Sequence, residues 1–412
     1  MMQSKRKYYR HYSIGMVVAS VVALVGTLVA NRLLLHISIV DKACIYGITA
    51  IIGAYVLAYL FIIIKNGGIK KYIEHSSIQR EIEDSLIAIG AYNKHDGKVY
   101  ADTPKIRIKN GEIRIMLNNL KIRETIERQM ASFSTALPER YIVDDYYLTP
   151  NEAELIIKYE DQKSYKPEKY TLNEYKKLVN SMGNLDIYVD KKHIINLNTY
   201  PHWLISGQSG SGKSYLVQEM LIQAIYKGFD VTVLDLKRSY GLYRQHIKYA
   251  YEPKEIISTL QDLETEMKDR LKALQPELDK NPNVLAVDVG YTPKLIIVEE
   301  YISLLSSLDK KDKEEVERIV RTISVLARQS NIHLIIVLQS AGTENIQATT
   351  RSNLTTKVLM GRAQSNIVTA TFGTGVDIPN QGVQMQRGEG LIQLDRITVL
   401  RVPEIKDIDS FR

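Results

Sequence analysis

The sequence is almost without cysteine. Its 412 residues include a single one, Cys44, which excludes an intramolecular disulfide and leaves no argument for an oxidising compartment. The compositional bias of disordered or collagen-like chains is also missing, because 45% of the residues are hydrophobic and 25% are charged. A chain of this length and composition is expected to bury a core in two domains, with room for a short anchor.

Excess positive charge is absent from most of the chain, although the formal net charge is +7. Residues 1–75 contain nine Lys and Arg residues against only Asp41 and Glu74, so the whole excess lies in this segment. The remaining residues sum to zero. Overall basicity therefore indicates a membrane partner and gives no support to DNA as the reason for the charge.

Two stretches of that N-terminal segment carry no charged residue. They cover residues 13–31 and 43–64, and each is long enough for a helix to cross about 30 Å of hydrocarbon. The alternatives are a cleaved signal peptide for the first stretch and a buried soluble hairpin for both. More Lys and Arg residues lie before the first stretch and after the second than between the two stretches. Both ends of the anchor are therefore expected in the cytoplasm. We therefore predict a multi-pass anchor in the cell membrane over residues 1–72.

The segment from 73 to 192 lacks a long apolar run and predicts a small α+β domain. Residues 106–117 alternate around Asn110-Gly111, which is typical of a β-hairpin because both loop positions need positive φ. This hairpin sets Arg107 opposite Arg114, as either an anion contact or a pair of solvated side chains.

Two further elements are predicted in the same domain. Apolar residues recur at helical spacing over 121–137, with Asn118 or Asn119 as the cap. Residues 141–159 combine Tyr, Ile and Val with turn residues and predict a meander of strands.

A glycine-rich loop follows a short apolar run and precedes a helical pattern. Its residues are Gly207, Gln208, Ser209, Gly210, Ser211, Gly212, Lys213 and Ser214. The glycine spacing lets successive backbone amides face a phosphate, because glycine adopts angles that a Cβ forbids. We predict that the loop binds ATP, that Lys213 reaches the β and γ phosphates and that Ser214 ligates Mg²⁺. A glycine-rich turn without nucleotide is the alternative.

Two acidic residues follow a second apolar run. Residues 295–298 are apolar and lead directly into Glu299 and Glu300. Because parallel strands end at a common sheet edge, we predict that Glu299 lies on the Mg²⁺ and that Glu300 polarises the attacking water. The alternative is an acidic pair that opens a solvated helix.

Polar residues also end two more apolar runs, at 231–237 and 333–339. In doubly wound sheets, ligands bind at the carboxyl ends of the strands, so Asp235, Lys237 and Gln339 are predicted to line the same site. The Gln339 amide is suited to sensing the γ-phosphate or orienting water. Structural roles in turns are the alternative for all three residues.

Five motif-like segments follow one another along the second half of the chain. They are Pro-His-Trp-Leu-Ile-Ser-Gly at 201–207, Leu-Asp-Leu-Lys at 234–237, Glu-Met-Lys-Asp-Arg at 266–270, Ala-Arg-Gln-Ser-Asn-Ile-His-Leu at 327–334 and Arg-Gly-Glu-Gly at 387–390. In this order they resemble the motifs of the FtsK/SpoIIIE family of P-loop DNA translocases. The resemblance covers about residues 195–402 and implies a RecA-like α/β P-loop NTPase with a mainly parallel sheet, assembled as a ring. A neighbouring subunit would then supply an arginine to each site, with Arg321, Arg328, Arg351 and Arg362 as candidates.

The sequence departs from this family at two positions. Glu299 stands where the family usually has Asp, and Ser340 follows Gln339 in place of Arg-Pro. These differences affect the metal contact and the loop after Gln339, respectively. We also expect no winged-helix γ domain after the motor, which argues against sequence-directed chromosome pumping.

The combination of a two-span anchor, a middle domain and a motor over residues 193–412 is similar to TcpA-like conjugative coupling ATPases of Gram-positive mobile elements. That resemblance implies a homo-hexamer that binds ATP and Mg²⁺ and moves DNA, with a relaxase and secretion-channel proteins as partners. An ATPase that energises protein secretion and a nucleotide-binding membrane scaffold are the alternatives.

Overall fold

The computed structural model describes all residues except 1–2, 36, 94–99, 118–119, 130–136, 138–139, 162–166, 343–344, 363, 375, 377, 379–384 and 412. The chain divides into two compact units, Met1–Lys163 and Ser164–Arg412. The domain boundary expected after residue 192 therefore lies inside the second unit. The physical reason is packing, because Tyr175 and Val179 are buried in the core of that unit.

Long helices open the first unit. The helices α1 and α2 pack against each other, and Lys5–Leu33 and Ser38–Lys65 are long and apolar enough to cross a membrane. In the most apolar 18-residue stretch of each helix, 0% and 6% of the residues, respectively, are buried inside the molecule. Their apolar side chains therefore face outward. The elements are β1 (Gln3–Ser4), α1 (Lys5–Ala30), a π-helical turn (Asn31–Leu35), α2 (Ser38–Lys65) and α3 (Ile69–Ala88).

An antiparallel sheet with the order β3-β4-β6-β5 completes the first unit. Isoleucines of α3 and α4 pack with the inward residues of this sheet in one hydrophobic cluster, which gives the α+β character that the sequence predicts. The elements are β2 (Tyr100–Ala101), β3 (Ile106–Lys109), β4 (Glu112–Met116), α4 (Leu120–Glu127), β5 (Tyr141–Leu148) and β6 (Glu154–Asp161).

The predicted hairpin is confirmed. Asn110 and Gly111 have φ of 52° and 77°, and Arg107 pairs with Arg114. Arg114 forms ion pairs with Glu112 and Glu154, which offset the like charge across the ladder.

The helix predicted over 121–137 ends earlier than expected. The structure ends α4 at Glu127 and forms a turn at residues 128–129. Periodic apolar residues alone overestimated its length, because spacing does not show where a helix gives way to a turn. Residues 130–136 of that prediction and its caps, Asn118 and Asn119, lie outside the described residues, and residue 137 forms a bend.

The second unit is built on an eight-stranded sheet with the order β12-β11-β13-β14-β10-β15-β16-β17. Adjacent strands run parallel from β12 through β15, and the last two pairings are antiparallel. This confirms the expected α/β P-loop fold with a mainly parallel sheet. The strands are β10 (His202–Gly207), β11 (Asp230–Leu234), β12 (Lys248–Ala250), β13 (Lys294–Val298), β14 (Ile332–Val337), β15 (Thr356–Met360), β16 (Glu389–Gln393) and β17 (Ile397–Arg401).

Helices cover both faces of this sheet. Leu216 of α6 is buried on one face and Leu263 of α7 on the other, which explains why the central strands are continuous apolar runs. The remaining elements are β7 (Lys169–Thr171), α5 (Leu172–Asn180), β8 (Asp186–Asp190), β9 (His193–Asn196), α6 (Lys213–Tyr226), α7 (Pro253–Leu278), α8 (Tyr301–Ser306), α9 (Lys310–Leu326), α10 (Ala348–Asn353), α11 (Ser365–Phe372) and β18 (Glu404–Lys406).

Two histidines lie inside the large sheet, on the neighbouring strands β10 and β14. His202 and His333 are 2% and 0% exposed, and His202 Nδ1 accepts the Leu334 N–H at 3.2 Å. Burial lowers the pKa of His202 to about 3 and that of His333 to about 4. Both rings are therefore neutral in the folded protein at neutral pH.

These histidines predict a loss of stability in acid. The unfolded chain binds their protons near pH 6.5, whereas the folded chain does so only below about pH 4, so stability is lost as pH falls through that window. Between pH 7 and 5, the free energy of unfolding should fall by about 2 kcal/mol less in His333→Gln than in the wild type. Urea unfolding of the full chain in detergent measures this. The exposed His246→Gln should leave the loss intact, and an unchanged pH dependence in His333→Gln would contradict the prediction.

Candidate nucleotide site

The glycine-rich loop connects the end of β10 to the start of α6, as the sequence predicts. Gly207, Gly210 and Gly212 have φ of 142°, 81° and 107°. A Cβ on Gly207 would lie 2.3 Å from the Met360 carbonyl oxygen, and one on Gly212 would lie 2.9 Å from the Gly388 nitrogen. Close backbone approach therefore requires glycine at the two ends of the loop.

Two of these glycines give a matched pair of substitutions. Gly207→Ala combines positive φ with overlap against a backbone oxygen, whereas Gly210→Ala meets nothing within 4 Å. We expect Gly210→Ala to cost about 1–2 kcal/mol of the free energy of unfolding through strain alone, and Gly207→Ala to cost more and to abolish ATP binding. Urea unfolding and nucleotide titration test this. Equal losses in the two variants would show that the Met360 contact is unimportant.

The outer side of the loop is held by the turn that leads into β16. Gly388 N–H donates to the Ser211 carbonyl at 3.0 Å, and Val402 N–H donates to the Gly388 carbonyl at 2.9 Å. Gly361 N–H also donates to the Glu389 carbonyl at 2.8 Å. The Arg-Gly-Glu-Gly motif marks this turn in the sequence, but nothing in the motif shows that it contacts the phosphate loop.

Lys213 is the first residue of α6 and is only 8% exposed. Its ammonium donates to the carbonyl oxygens of Gly207 at 2.5 Å and Gln208 at 3.1 Å. Burial lowers its pKa, and the nearby carboxylates of Glu300 and Glu299 act in the opposite direction. The predicted cation thus lies beside the loop amides and in the field of both predicted acids.

Ser214 and Glu299, the two predicted metal ligands, lie beside each other. The Ser214 hydroxyl lies 3.5 Å from Glu299 Oε1, and Tyr240 donates to Glu299 Oε2 at 3.4 Å. Burial raises the pKa of Glu299 to about 7, and the negative charges of Asp235 and Glu300 add to this effect. A buried carboxylate beside a hydroxyl is a donor set that fits Mg²⁺, which prefers oxygen ligands, and a bound cation would stabilise the carboxylate form.

Glu300 follows directly and occupies an unusual conformation. It has φ of 50° and ψ of 55° between β13 and α8, and such left-handed geometry costs a non-glycine residue about 1–3 kcal/mol. Its side chain is buried, and Oε2 accepts a hydrogen bond from Lys237 Nζ at 3.0 Å. The bend turns the carboxylate toward the sheet edge that carries Lys213.

Asp235 organises the turn that carries Lys237. Its buried carboxylate accepts the Lys237 N–H at 2.9 Å and the Tyr249 hydroxyl at 3.0 Å, together with the Ser239 N–H. Nucleotide binding by Asp235 stays a prediction, because these contacts already engage both of its oxygens. Sequence reasoning missed Tyr240 and Tyr249, since nothing distinguishes them among the 26 tyrosines of the chain.

Gln339 lies beyond β14 and is exposed. Because β14 runs parallel to both β13 and β10, Gln339 lies at the same edge as the acids and the phosphate loop. Its predicted catalytic role stays a prediction.

Comparison with known families finds a match around the phosphate loop. Residues 163–284 match the model of the FtsK/SpoIIIE family. The chain carries an FtsK/SpoIIIE domain. The match contains the phosphate loop and the Asp235 turn, so the second unit has the fold of a P-loop ATPase, as the sequence motifs indicate.

Curated relatives of this FtsK/SpoIIIE domain include bacterial DNA translocases. The DNA translocase FtsK of Campylobacter jejuni is 26% identical over 182 residues, covering 41% of this chain and 19% of that protein. The Ftsk domain-containing protein YdcQ of Bacillus subtilis is 24% identical over 174 residues, covering 41% of this chain and 36% of that protein. The chain thus spans between 19% and 36% of the length of these relatives.

A solved structure resembles a larger part of the chain. The pCW3 conjugation coupling protein TcpA, in its monomer form with ATPγS, matches with a TM-score of 0.51 and 19% sequence identity. The match covers 80% of this chain and 95% of the TcpA chain. At this level of identity, the likeness concerns the fold.

The four arginines that the family resemblance suggested lie in different environments. Arg351 donates to the carbonyl oxygens of Ala341 and Ala370, at 3.1 Å and 2.7 Å. Arg328 donates to the Asn198 carbonyl at 3.0 Å. Arg321 donates to the Gln347 side-chain oxygen at 3.5 Å. Arg321, Arg328 and Arg362 are all exposed.

Proposed function

We propose that this chain is an ATP-driven DNA translocase, held in the cell membrane by two spans, that moves DNA to a secretion channel during conjugative transfer. One observation carries the proposal. In an FtsK/SpoIIIE domain, the fold brings Lys213, Ser214, Glu299 and Glu300 to one edge of the sheet.

The residues at this edge have complementary roles in ATP hydrolysis. The loop amides and Lys213 bind the phosphates, and Ser214 and Glu299 hold Mg²⁺, which neutralises charge on the phosphate oxygens. Glu300 orients the attacking water and accepts its proton at a side-chain oxygen. The contact with Lys237 fixes the position of the Glu300 carboxylate before water is bound.

Assembly into a homo-hexameric ring is part of the same proposal. A ring places each nucleotide beside the neighbouring subunit, where an arginine can stabilise the charge of the transition state. The exposed Arg321, Arg328 and Arg362 are the candidates for this group. The ring would also repeat a few DNA-contacting cations around one axis, which provides phosphate contacts without bulk positive charge.

Membrane attachment and the conjugative role extend the proposal beyond the motor. Two long apolar helices with outward-facing side chains support the anchor, and the Lys and Arg residues at its outer ends favour a cytoplasmic N-terminus and motor. The fold shared with a conjugation coupling protein supports transfer DNA as the cargo. A relaxase and channel proteins are then the expected partners.

An ATPase assay on the full chain in lipid nanodiscs tests this function. We expect hydrolysis to rise when DNA is added, with single strands and duplex compared separately, and mass measurement to detect a hexamer. Absence of turnover under every DNA condition would contradict the proposal. Stimulation by a secreted protein, with indifference to DNA, would instead support a protein-secretion ATPase.

A further inference from the structure

A basic pocket lies where α2 ends. It has a volume of about 590 Å³ and is lined by the loop after α2, the first turns of α3 and the β3–β4 hairpin, a size within the usual range for small-ligand sites. Its cations are Lys65, Lys71, Arg107 and Lys109. Lys65 is the last residue of α2, so the pocket begins where the second apolar helix stops.

A second basic pocket lies where α1 begins. Its volume is about 450 Å³, and it is lined by the N-terminal turns of α1 and the middle of α3. Ile14, in the uncharged stretch of α1, belongs to the lining. The cations of this pocket are Arg6, Lys7, Arg10 and Arg80. We call the eight cations of the two pockets the collar.

The collar has a surplus of positive charge. Within the described part of the chain, none of its eight cations forms an ion pair. Three carboxylates also belong to the linings, against eight cations. They are Glu74, Asp161, which accepts from Arg140, and Glu83, which accepts from Ser4 and Gln79. Unpaired cations gathered around concave sites raise the local concentration of anions.

Aromatic and apolar side chains occupy the same end of the helix pair. The rings of Tyr9 and Tyr100 are 5.5 Å apart, and those of Tyr59 and Tyr72 are 5.6 Å apart. Tyrosines of this kind are enriched where a membrane meets water. Ile69 and Ile73, one turn apart on α3, are 61% and 62% exposed beside these residues, as expected for a helix face that dips into the interface.

We propose that the collar binds the phosphate-bearing headgroups of anionic phospholipids at the cytoplasmic surface of the membrane. The inference rests on the membrane anchoring of the proposed function. Two features favour lipid over DNA. Both pockets adjoin the ends of apolar helices, and the exposed side chains of Tyr9, Tyr59, Ile69 and Ile73 lie at the same end of the helix pair. Each cation near an anionic membrane surface contributes about 1 kcal/mol of attraction, so four cations per pocket suffice for selective binding.

The test uses the full chain in mixed detergent micelles with short-chain phosphatidylglycerol or phosphatidylcholine, and native mass spectrometry counts the bound lipids. Arg107→Gln combined with Lys109→Gln removes two exposed cations of the first pocket. Arg114→Gln combined with Lys121→Gln removes the same charge from exposed sites outside both pockets. We expect the first variant to bind phosphatidylglycerol on the order of tenfold more weakly, and the control to match the wild type.

Several results would overturn the inference. The wild type could bind the two lipids equally, or the two variants could lose lipid binding to the same extent. Inorganic phosphate could displace phosphatidylglycerol at equal concentration. The pocket variant could also lose duplex DNA binding while it keeps lipid binding. Carbonate extraction of cell membranes distinguishes failure of the lipid-binding proposal from failure of the proposed membrane anchor. If the chain is extracted, the anchor and the collar proposals both fail, whereas a retained chain that is indifferent to lipid charge contradicts the collar alone.

Discussion

Lys213→Ala is expected to abolish ATP hydrolysis by the full chain, with a loss of at least about a hundredfold. The side chain is buried at the start of α6, among the loop carbonyls and the two acids. The truncation removes the cation that is proposed to bind the phosphates. ATP binding should also weaken, because a buried positive charge is lost from an anion site. Hydrolysis of radiolabelled ATP and a nucleotide titration measure the two effects.

Lys227→Ala is the matched control for this substitution. Lys227 follows the last turn of the same helix and donates to the Gly183 carbonyl at 2.5 Å, far along α6 from the loop. This variant should hydrolyse ATP at the wild-type rate. Retention of turnover in Lys213→Ala would show that the loop does not act on the phosphates as proposed.

Glu300→Gln is expected to separate binding from hydrolysis. The amide oxygen can still accept from Lys237, so the fold and the ATP affinity should persist. It cannot take a proton from water, and loss of a general base costs about 10²–10⁴-fold in rate. The variant should therefore hold ATP in a stalled complex. Equilibrium binding and single-turnover hydrolysis test this.

The exposed Glu314→Gln on α9 controls for the loss of one carboxylate. It should leave both ATP binding and turnover unchanged. If Glu300→Gln hydrolysed ATP at the wild-type rate, another group would have to activate the water, and the assignment of Glu300 would be wrong.

Much of the fold was predictable because local chemistry determines it. The glycine spacing of the phosphate loop and the Asn110-Gly111 turn each need backbone angles that few residues adopt. The central strands were recognisable because burial on both faces requires uninterrupted apolar runs. Carboxylates at the end of such a run lie at the shared edge of the sheet by topology alone.

Contacts between distant segments were not predictable. The Lys237–Glu300 ion pair joins two strand ends 63 residues apart, and the Asp235 contact with Tyr249 depends on how β12 pairs with β11. Apolar periodicity also misjudged α4, which ends at Glu127. Spacing measures which face of a helix is apolar, whereas its end depends on local turn geometry and tertiary packing.

Main-chain atoms link the phosphate loop to the final strands. Ser211 and Gly388 are joined through carbonyl and amide groups, and so are Gly388 and Val402. Side-chain replacements therefore leave this linkage in place wherever the backbone angles are kept. The constraint in this turn therefore falls on the backbone angle of Gly388, whose φ of 85° a residue with a Cβ adopts only with strain.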